Sequence, residues 1–326
     1  MSVSNIQSPF AHYGVLSGQL FLYGQGRAAF ESSPVPTESS SSAAAASSSP
    51  SSLGHDNKHK CILIGGLSDG LCPVPYTRDL EQACHQHNWS LVQPILSSSY
   101  TGFGHGSLDQ DCDELQELME FLISHRNAQE FCLLGHSTGC QDAVHFLAHA
   151  KEDLRSRLRV VALQAPVSDR ESASVHPNPK ADDYLAQAQG MVKADGAQEM
   201  MPRDSFWAPI TAQRYLDLFA KGGRDDYFSS DYTDEELEGR LQHVGQQDSS
   251  LKVLVATSGS DEYVPSHVNV PKLTERIVAA MNTKATKEPV AIGFCLETGN
   301  HNLSQGPEDG KRFVDKFAEL LPSIKY

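Results

Sequence analysis

Residues 130–150 read EFCLLGHSTGCQDAVHFLAHA: a short run of strand character, the turn Gly135-His136-Ser137-Thr138-Gly139, and a helical segment. A GxSxG pentapeptide alone says little, because turns containing glycine and serine arise by chance. Directly between a strand and a helix it says much more. The two glycines allow a sharp turn with close backbone packing, and Ser137 is held at the tip with its hydroxyl exposed. The helix N-terminus beneath it favours negative charge developing there.

Outward from this turn, apolar runs of strand length alternate with longer segments of helical period. The strand candidates are 60–65 (KCILIG), 90–96 (SLVQPIL), 130–134 (EFCLL), 159–164 (RVVALQ), 251–257 (LKVLVAT) and 290–297 (VAIGFCLE). Most are apolar on both faces, as central parallel strands must be. Helices are expected at 76–87, 108–125, 138–150, 268–281 and 310–321. In the second of these, Leu115, Leu118, Met119 and Leu122 share a face, with the acidic residues assigned to the other. The pattern specifies an α/β fold, a mainly parallel central sheet flanked by helices.

Two segments interrupt the alternation. Residues 32–54 are rich in Ser and Ala, too polar and small-sided to order themselves, and are read as a disordered surface loop after an opening pair of strands at 14–23 and 27–30. Residues 166–250 hold three helical runs, DDYLAQAQGMV, APITAQRYLDLFA and TDEELEGRLQHV, where one crossover helix would suffice. An insertion there lies over the carboxyl edge of the sheet, where ligands bind, and is read as a helical cap. The whole chain, 1–326, is read as one domain.

A serine hydroxyl needs a base to take its proton, and that base needs an orienting carboxylate. Asp261 follows the strand LKVLVAT in Ser258-Gly259-Ser260-Asp261-Glu262, and His301 follows the last strand in Thr298-Gly299-Asn300-His301-Asn302. The order Ser, Asp, His is that of the α/β-hydrolase fold, so Ser137, Asp261 and His301 are the candidate catalytic residues. Thr138 and, from the run Gly65-Gly66-Leu67-Ser68-Asp69-Gly70, Leu67 are the candidates for the backbone N–H groups that hold an oxyanion. A merely flexible Gly-rich turn is the competing reading of that run. Asp169 and Glu262 compete with Asp261, which is preferred. His105 and His267 compete with His301, but neither follows the final strand, and surface or loop histidines are the plainer reading.

Gly66, Asp69, Tyr100, His136 and Trp207 are further candidates for substrate contact, with the ring of His136 expected beside Ser137 and unable to present a nitrogen to it. Of the aromatic residues Phe206, Trp207, Tyr215, Phe219, Tyr227 and Phe228, one or two are expected to line a pocket and the others to pack a small core. His85 and His87 do not share a helical face and make no zinc site. His55 and His59 are taken as solvated loop histidines. No cofactor motif and no metal site is found, and the elbow lacks the GxxxxGK[ST] of a phosphate loop.

Composition narrows the partners. With 26 basic and 41 acidic side chains the formal net charge is −15, which repels nucleic acid and anionic lipid. No run is apolar and long enough for a membrane span, and the start MSVSNIQSPFAHYG has no signal-peptide character, so a cytoplasmic location is expected. The seven cysteines, without a CxxC pair, are read as reduced thiols.

The run from Gly65 to Gly70 followed by Val74-Pro75-Tyr76, then Ser98-Ser99-Tyr100 with Gly102 and Gly104, and the elbow extended to Cys140-Gln141-Asp142 together resemble the DUF1749 family of α/β-hydrolases, found largely in fungi and plants. The resemblance spans most of the chain, with the Ser/Ala-rich segment as a departure. It implies a serine esterase. Some fungal members are siderophore esterases acting inside the cell on fusarinine-type compounds, which would make the partner a small-molecule ester, an iron–siderophore complex among them. Other small carboxylesters, lactones or thioesters are the alternative, as is a protease or amidase using the same residues. A non-catalytic ligand-binding protein of the same fold usually lacks one of the three residues, and all three are present here.

Overall fold

A computed structural model describes residues 15–33, 57–175, 177–248 and 250–322, so the segment expected to be a disordered loop lies, from residue 34 on, outside the described residues. Eight strands form one sheet: β1 (Gly18–Tyr23), β2 (Arg27–Ser32), β3 (His59–Ile64), β4 (Trp89–Pro94), β5 (Glu130–His136), β6 (Leu158–Gln164), β7 (Lys252–Ser258) and β8 (Ala291–Leu296). Their order across the sheet is β1-β2-β4-β3-β5-β6-β7-β8. β1 pairs antiparallel with β2, which joins antiparallel to β4, and the remaining pairings are parallel.

The central strands are buried on both faces because helices cover both. Along β3, Ile62 and Ile64 join one core, with α2 (Leu108–Arg126) and α3 (Gly139–His149), while Cys61 and Leu63 join the other, with α1 (Thr77–Gln86) and α10 (Pro307–Ala318). That division is the period of two expected of a strand. Leu115, Leu118, Met119 and Leu122 of α2 are wholly buried. The helix starts at a Ser107 cap, whose hydroxyl accepts from the Gln110 N–H, and stops at Asn127 in the left-handed region at φ 53°. Its acidic residues are not all on the outer face. Asp111 and Glu114 are buried, Glu114 accepting the Ser97 N–H at 2.8 Å.

The long insertion divides in two. After α4 (Glu152–Arg155) and β6 come α5 (Asp169–Ser172), α6 (Ala181–Lys193) and α7 (Ala212–Phe219), and α6 and α7 pack on each other around Tyr184, Ala188, Met201, Ile210, Tyr215 and Leu218 as a small separate core. From Tyr227 onward the chain rejoins the main core. Tyr227, Phe228 and Tyr232, with Leu237 and Leu241 of α8 (Asp234–Leu241), pack in the same core as Ile277 and Met281 of α9 (Val270–Asn282). The run TDEELEGRLQHV therefore covers the sheet and is no part of a cap. All seven cysteines are free. No helix among the described residues is long and apolar enough to cross a membrane.

Two ionisable residues of β3 were not foreseen as buried. Lys60, wholly buried, places Nζ 2.5 Å from Glu31 Oε1, which also accepts from the Ser90 hydroxyl at 2.7 Å, and Arg126 binds the other oxygen. His59 is likewise buried in β3, its ring 5.1 Å from that of Trp89 and paired with Glu130, so it is not a solvated loop histidine. Burial pushes the Glu31 carboxyl up, but Lys60, Ser90 and Arg126 together outweigh it and hold the group below its ordinary value. This cluster ties the antiparallel hairpin to the parallel sheet. Removing one partner strands the other charge, so Glu31→Ala is expected to cost about 3–5 kcal/mol in urea denaturation. The double change Glu31→Met, Lys60→Met should recover much of that, and a double variant no more stable than the single would refute the assignment.

Candidate active site

The turn after β5 forces Ser137 into the left-handed region, at φ 55°. Few residues other than glycine are held there without support from their surroundings. Support comes from close backbone approach. A Cβ on Gly135 would stand 2.2 Å from the Gly139 carbonyl oxygen, and one on Gly139 would stand 2.5 Å from that of Ile64. The Ser137 N–H donates to the Gln164 carbonyl at 3.0 Å. No side chain caps α3, whose first turn begins at this point.

The loops after β7 and β8 bring the other two residues to the serine. His301 Nδ1 lies 2.8 Å from Asp261 Oδ2 and 3.0 Å from Oδ1, and His301 Nε2 lies 2.8 Å from Ser137 Oγ. A carboxylate accepts only, so Nδ1 carries the proton and Nε2 is free to accept from the serine hydroxyl. Both side chains are shielded, 9% exposed for His301 and 1% for Asp261. The Asp261 carboxylate also accepts the Tyr263 N–H, and the Tyr263 ring meets that of His301 edge-on at 4.6 Å.

Ser137, His136 and His301 open into a cleft of about 1220 Å³, whose far wall is built by Phe206, Trp207, Tyr215 and Phe219. Four of the six aromatics singled out in the sequence thus face the cleft, while Tyr227 and Phe228 lie in the main core. Leu67 also lines the cleft, and neither its N–H nor that of Thr138 is engaged among the described residues. The arrangement can do nucleophilic chemistry on a carbonyl: a hydroxyl with a base, an oriented base, and two free N–H donors, Thr138 at an uncapped helix start and Leu67 in the loop after β3.

The remaining candidates fall out as follows. The Gly66 N–H is spent on Asp69 Oδ2 at 2.8 Å, and a Cβ on Gly66 would stand 2.7 Å from that of Ser137. Asp69 therefore clamps the loop that presents Leu67, and burial raises its carboxyl above the ordinary value. Tyr100 does not line the cleft. At φ 58° its half-exposed ring lies over Gly70, on the outer side of the same loop. Glu262 accepts the backbone N–H of His301 at 2.8 Å, and Asp169 accepts from Gln141 Nε2 at 3.0 Å, so neither competitor takes the place of Asp261. His105 and His267 are exposed away from the serine. Among the described residues no group of three or more His, Cys, Asp or Glu could hold a metal ion.

Two residues were missed. Gln164, at the end of β6 and fully buried, donates to the His301 carbonyl, and Tyr76 donates to Gln164 Oε1. A polar residue closing an otherwise apolar strand at the carboxyl edge was the available signal. Arg214 of α7, also buried, donates to the Phe103 carbonyl and pairs with Asp225 at 2.6 Å, pinning α7 to the loop before α2.

Comparison with known proteins agrees with this architecture. The family model described as "Protein of unknown function (DUF1749)" matches residues 32–321. A UPF0613 protein of Schizosaccharomyces pombe is 28% identical, over 81% of this chain and 87% of that one. The fusarinine C esterase sidJ of Aspergillus fumigatus is 28% identical over 67% and 75%. Among solved structures, the siderophore hydrolase EstB from Aspergillus fumigatus superposes with a TM-score of 0.73 at 26% identity, covering 94% of this chain and 97% of that one.

Asp169 makes the site's environment testable. Burial, reinforced by Asp225 and opposed by Arg214 and His301, pushes its carboxyl up to about 7. Folding then takes up a proton wherever the unfolded chain has lost it, so stability falls as pH rises from about 4 to about 7. Asp169→Asn removes that proton uptake, and urea denaturation at the two ends of the range should show a shallower fall than in wild type. An unchanged slope would mean that the carboxyl ionises freely in the folded protein.

Proposed function

The chain belongs to the DUF1749 family of α/β-hydrolases, and from that premise we propose that it is a cytosolic serine ester hydrolase that opens the ester bonds of fusarinine-type hydroxamate siderophores. The observation that carries the reading is the unbroken hydrogen-bonded array Ser137–His301–Asp261 on the wall of an aromatic-sided cleft.

In this mechanism Ser137 Oγ attacks the ester carbonyl while His301 Nε2 takes its proton. Asp261, accepting from Nδ1, holds the tautomer and stabilises the imidazolium. The oxyanion is held by the N–H groups of Leu67 and Thr138, with the Asp69 clamp keeping the first of these in place. His301 protonates the departing alcohol. It next deprotonates a water that attacks the acyl-enzyme, and collapse of the second oxyanion frees Ser137 and the acid.

Two things support the siderophore within this class. A fusarinine C esterase and a siderophore hydrolase are among the similar proteins, the latter along nearly its whole length. The cleft, at about 1220 Å³, exceeds the roughly 300–1,000 Å³ typical of small-ligand pockets, which suits an ester of several linked units.

The test is mass spectrometry of fusarinine-type siderophores, iron-loaded and iron-free, after incubation with wild type and with Ser137→Ala, with an activated ester as control. Stepwise ring opening and release of monomers by wild type is expected, with a loss on the order of 10⁴–10⁶ in the variant. Intact siderophores alongside Ser137-dependent cleavage of the activated ester would remove the substrate and keep the mechanism. Cleavage that survives Ser137→Ala would remove both. In the same assay Asp261→Asn should lose about 10³–10⁴ in kcat, whereas a comparable loss in Asp169→Asn would reassign the acid.

A further inference from the structure

His136 precedes the serine in the elbow, and its hydrogen bonding leaves only one tautomer. Gln164 Nε2 donates to the His301 carbonyl at 3.0 Å, a contact only the nitrogen end of the amide can make. Gln164 Oε1 therefore faces the other way, accepting from the Tyr76 hydroxyl at 2.9 Å and standing 2.6 Å from His136 Nδ1. An amide oxygen has no proton to give, so Nδ1 must carry it. The neutral ring has just one N–H, which leaves Nε2 as a bare lone pair. Burial, with His301 nearby, pushes the His136 imidazole down to about 3, so the ring stays neutral even when His301 gains a proton.

Nε2 has no partner among the described residues and is not sealed in the interior. It is absent from the buried side-chain atoms that lack a hydrogen bond, while the small part of His136 that is exposed, 4%, belongs to the cleft wall. The ring centre is 5.0 Å from that of His301, whose Nε2 meets Ser137 Oγ. In the free protein such an acceptor is open to bonding by water. A bound ester displaces that water and must donate in its place, or leave an acceptor unpaired.

We propose that His136 Nε2 is a substrate-recognition acceptor, taking a hydrogen bond from an amine or amide N–H next to the scissile carbonyl, so that the site selects esters bearing such a donor. The proposal rests on the ester-hydrolase reading of the cleft and adds to it a rule for substrate choice. It gives a specific role to a ring that the sequence already marked as a candidate for substrate contact with no nitrogen for Ser137.

Two measurements test it. The first needs no turnover: ¹⁵N NMR of histidine-labelled protein should show His136 with Nδ1 protonated and Nε2 unprotonated between about pH 5 and 8. A non-hydrolysable N–H-bearing ester analogue should shift the Nε2 resonance, and its N-methyl counterpart should not. The second compares kcat/KM for an N-acetylglycine ester and its N-acetylsarcosine equivalent, and for a matched pair with the N–H or N-methyl amide in the alcohol half. Wild type should favour the N–H member of one pair by about tenfold, the contribution of one hydrogen bond, and His136→Phe should bring the ratio close to one. A protonated Nε2, equal rates within both pairs, or a preference that persists in His136→Phe overturns the proposal. If wild type cleaves none of the esters, the ester-hydrolase reading fails, and the NMR titration still decides whether Nε2 is an acceptor. It also decides the matter if His136→Phe does not fold.

Discussion

The left-handed backbone at Ser137 is the constraint on which the rest of the site depends. A residue at φ 55° between a strand and a helix projects its side chain away from both, and only close approach of the neighbouring backbone makes the turn tight enough. That approach explains the glycines. With a methyl group at 135 or 139, the elbow would move away from its own helix or from the end of β3. The same turn starts α3 without a side-chain cap, so the N–H of Thr138 stays available to a ligand. Backbone strain, the outward placing of the serine and a free N–H beside it are here three aspects of one turn.

Around the turn, a second layer of polar groups fixes what the first layer does. Glu262 holds the backbone of His301, Asp69 holds the Gly66 N–H, and Gln164 binds the elbow through its carbonyl and the histidine loop through its amide. Each spends a polar group on a backbone atom, Gln164 from full burial and Glu262 from an exposed position. The benefit is geometric: a loop tied by its backbone keeps its side chain in one rotamer, and proton transfer between Ser137 and His301 needs that. Arg214 does the same for the cap, since its contacts with Phe103 and Asp225 reach outside its own helix.

Much of this was legible in the sequence, and the shortfall has a common cause. The parallel strands and their covering helices could be read because burial imposes periods of two and 3.6, and the three residues of the array could be read because each follows a strand at the carboxyl edge. Misread residues were mostly polar groups that the fold buries with partners distant in sequence. Lys60 is neutralised by Glu31, Asp111 and Glu114 sit on the inner side of α2, and Gln164 serves three distant loops. Hydrophobic periodicity places a charged residue outside by default, because its partner cannot be seen from local pattern. The extent of the cap was over-read for a related reason: α8 has the helical period of a cap helix, and only its contact with α9 assigns it to the sheet.

The charge of the cleft also differs from what a count of its acids suggests. Asp169 is pushed up to about 7 and is partly protonated at neutral pH, while Asp69 is raised by burial and tied to Gly66. Of the cations, Arg170 is taken by Asp226 and Asp231, and Lys221 is paired with Asp231. These two acids and two cations thus add less to the field of the cleft than their formal charges imply. Discrimination there must come from direction more than from charge. A neutral acceptor in a fixed tautomer takes a hydrogen bond from a cationic amine or from an uncharged amide, and a carboxylate in its place would favour the amine far more strongly. Burial keeps His136 neutral and Gln164 fixes its tautomer, so on the proposal above one cleft accepts both forms of a donor-bearing ester while disfavouring one that lacks the donor.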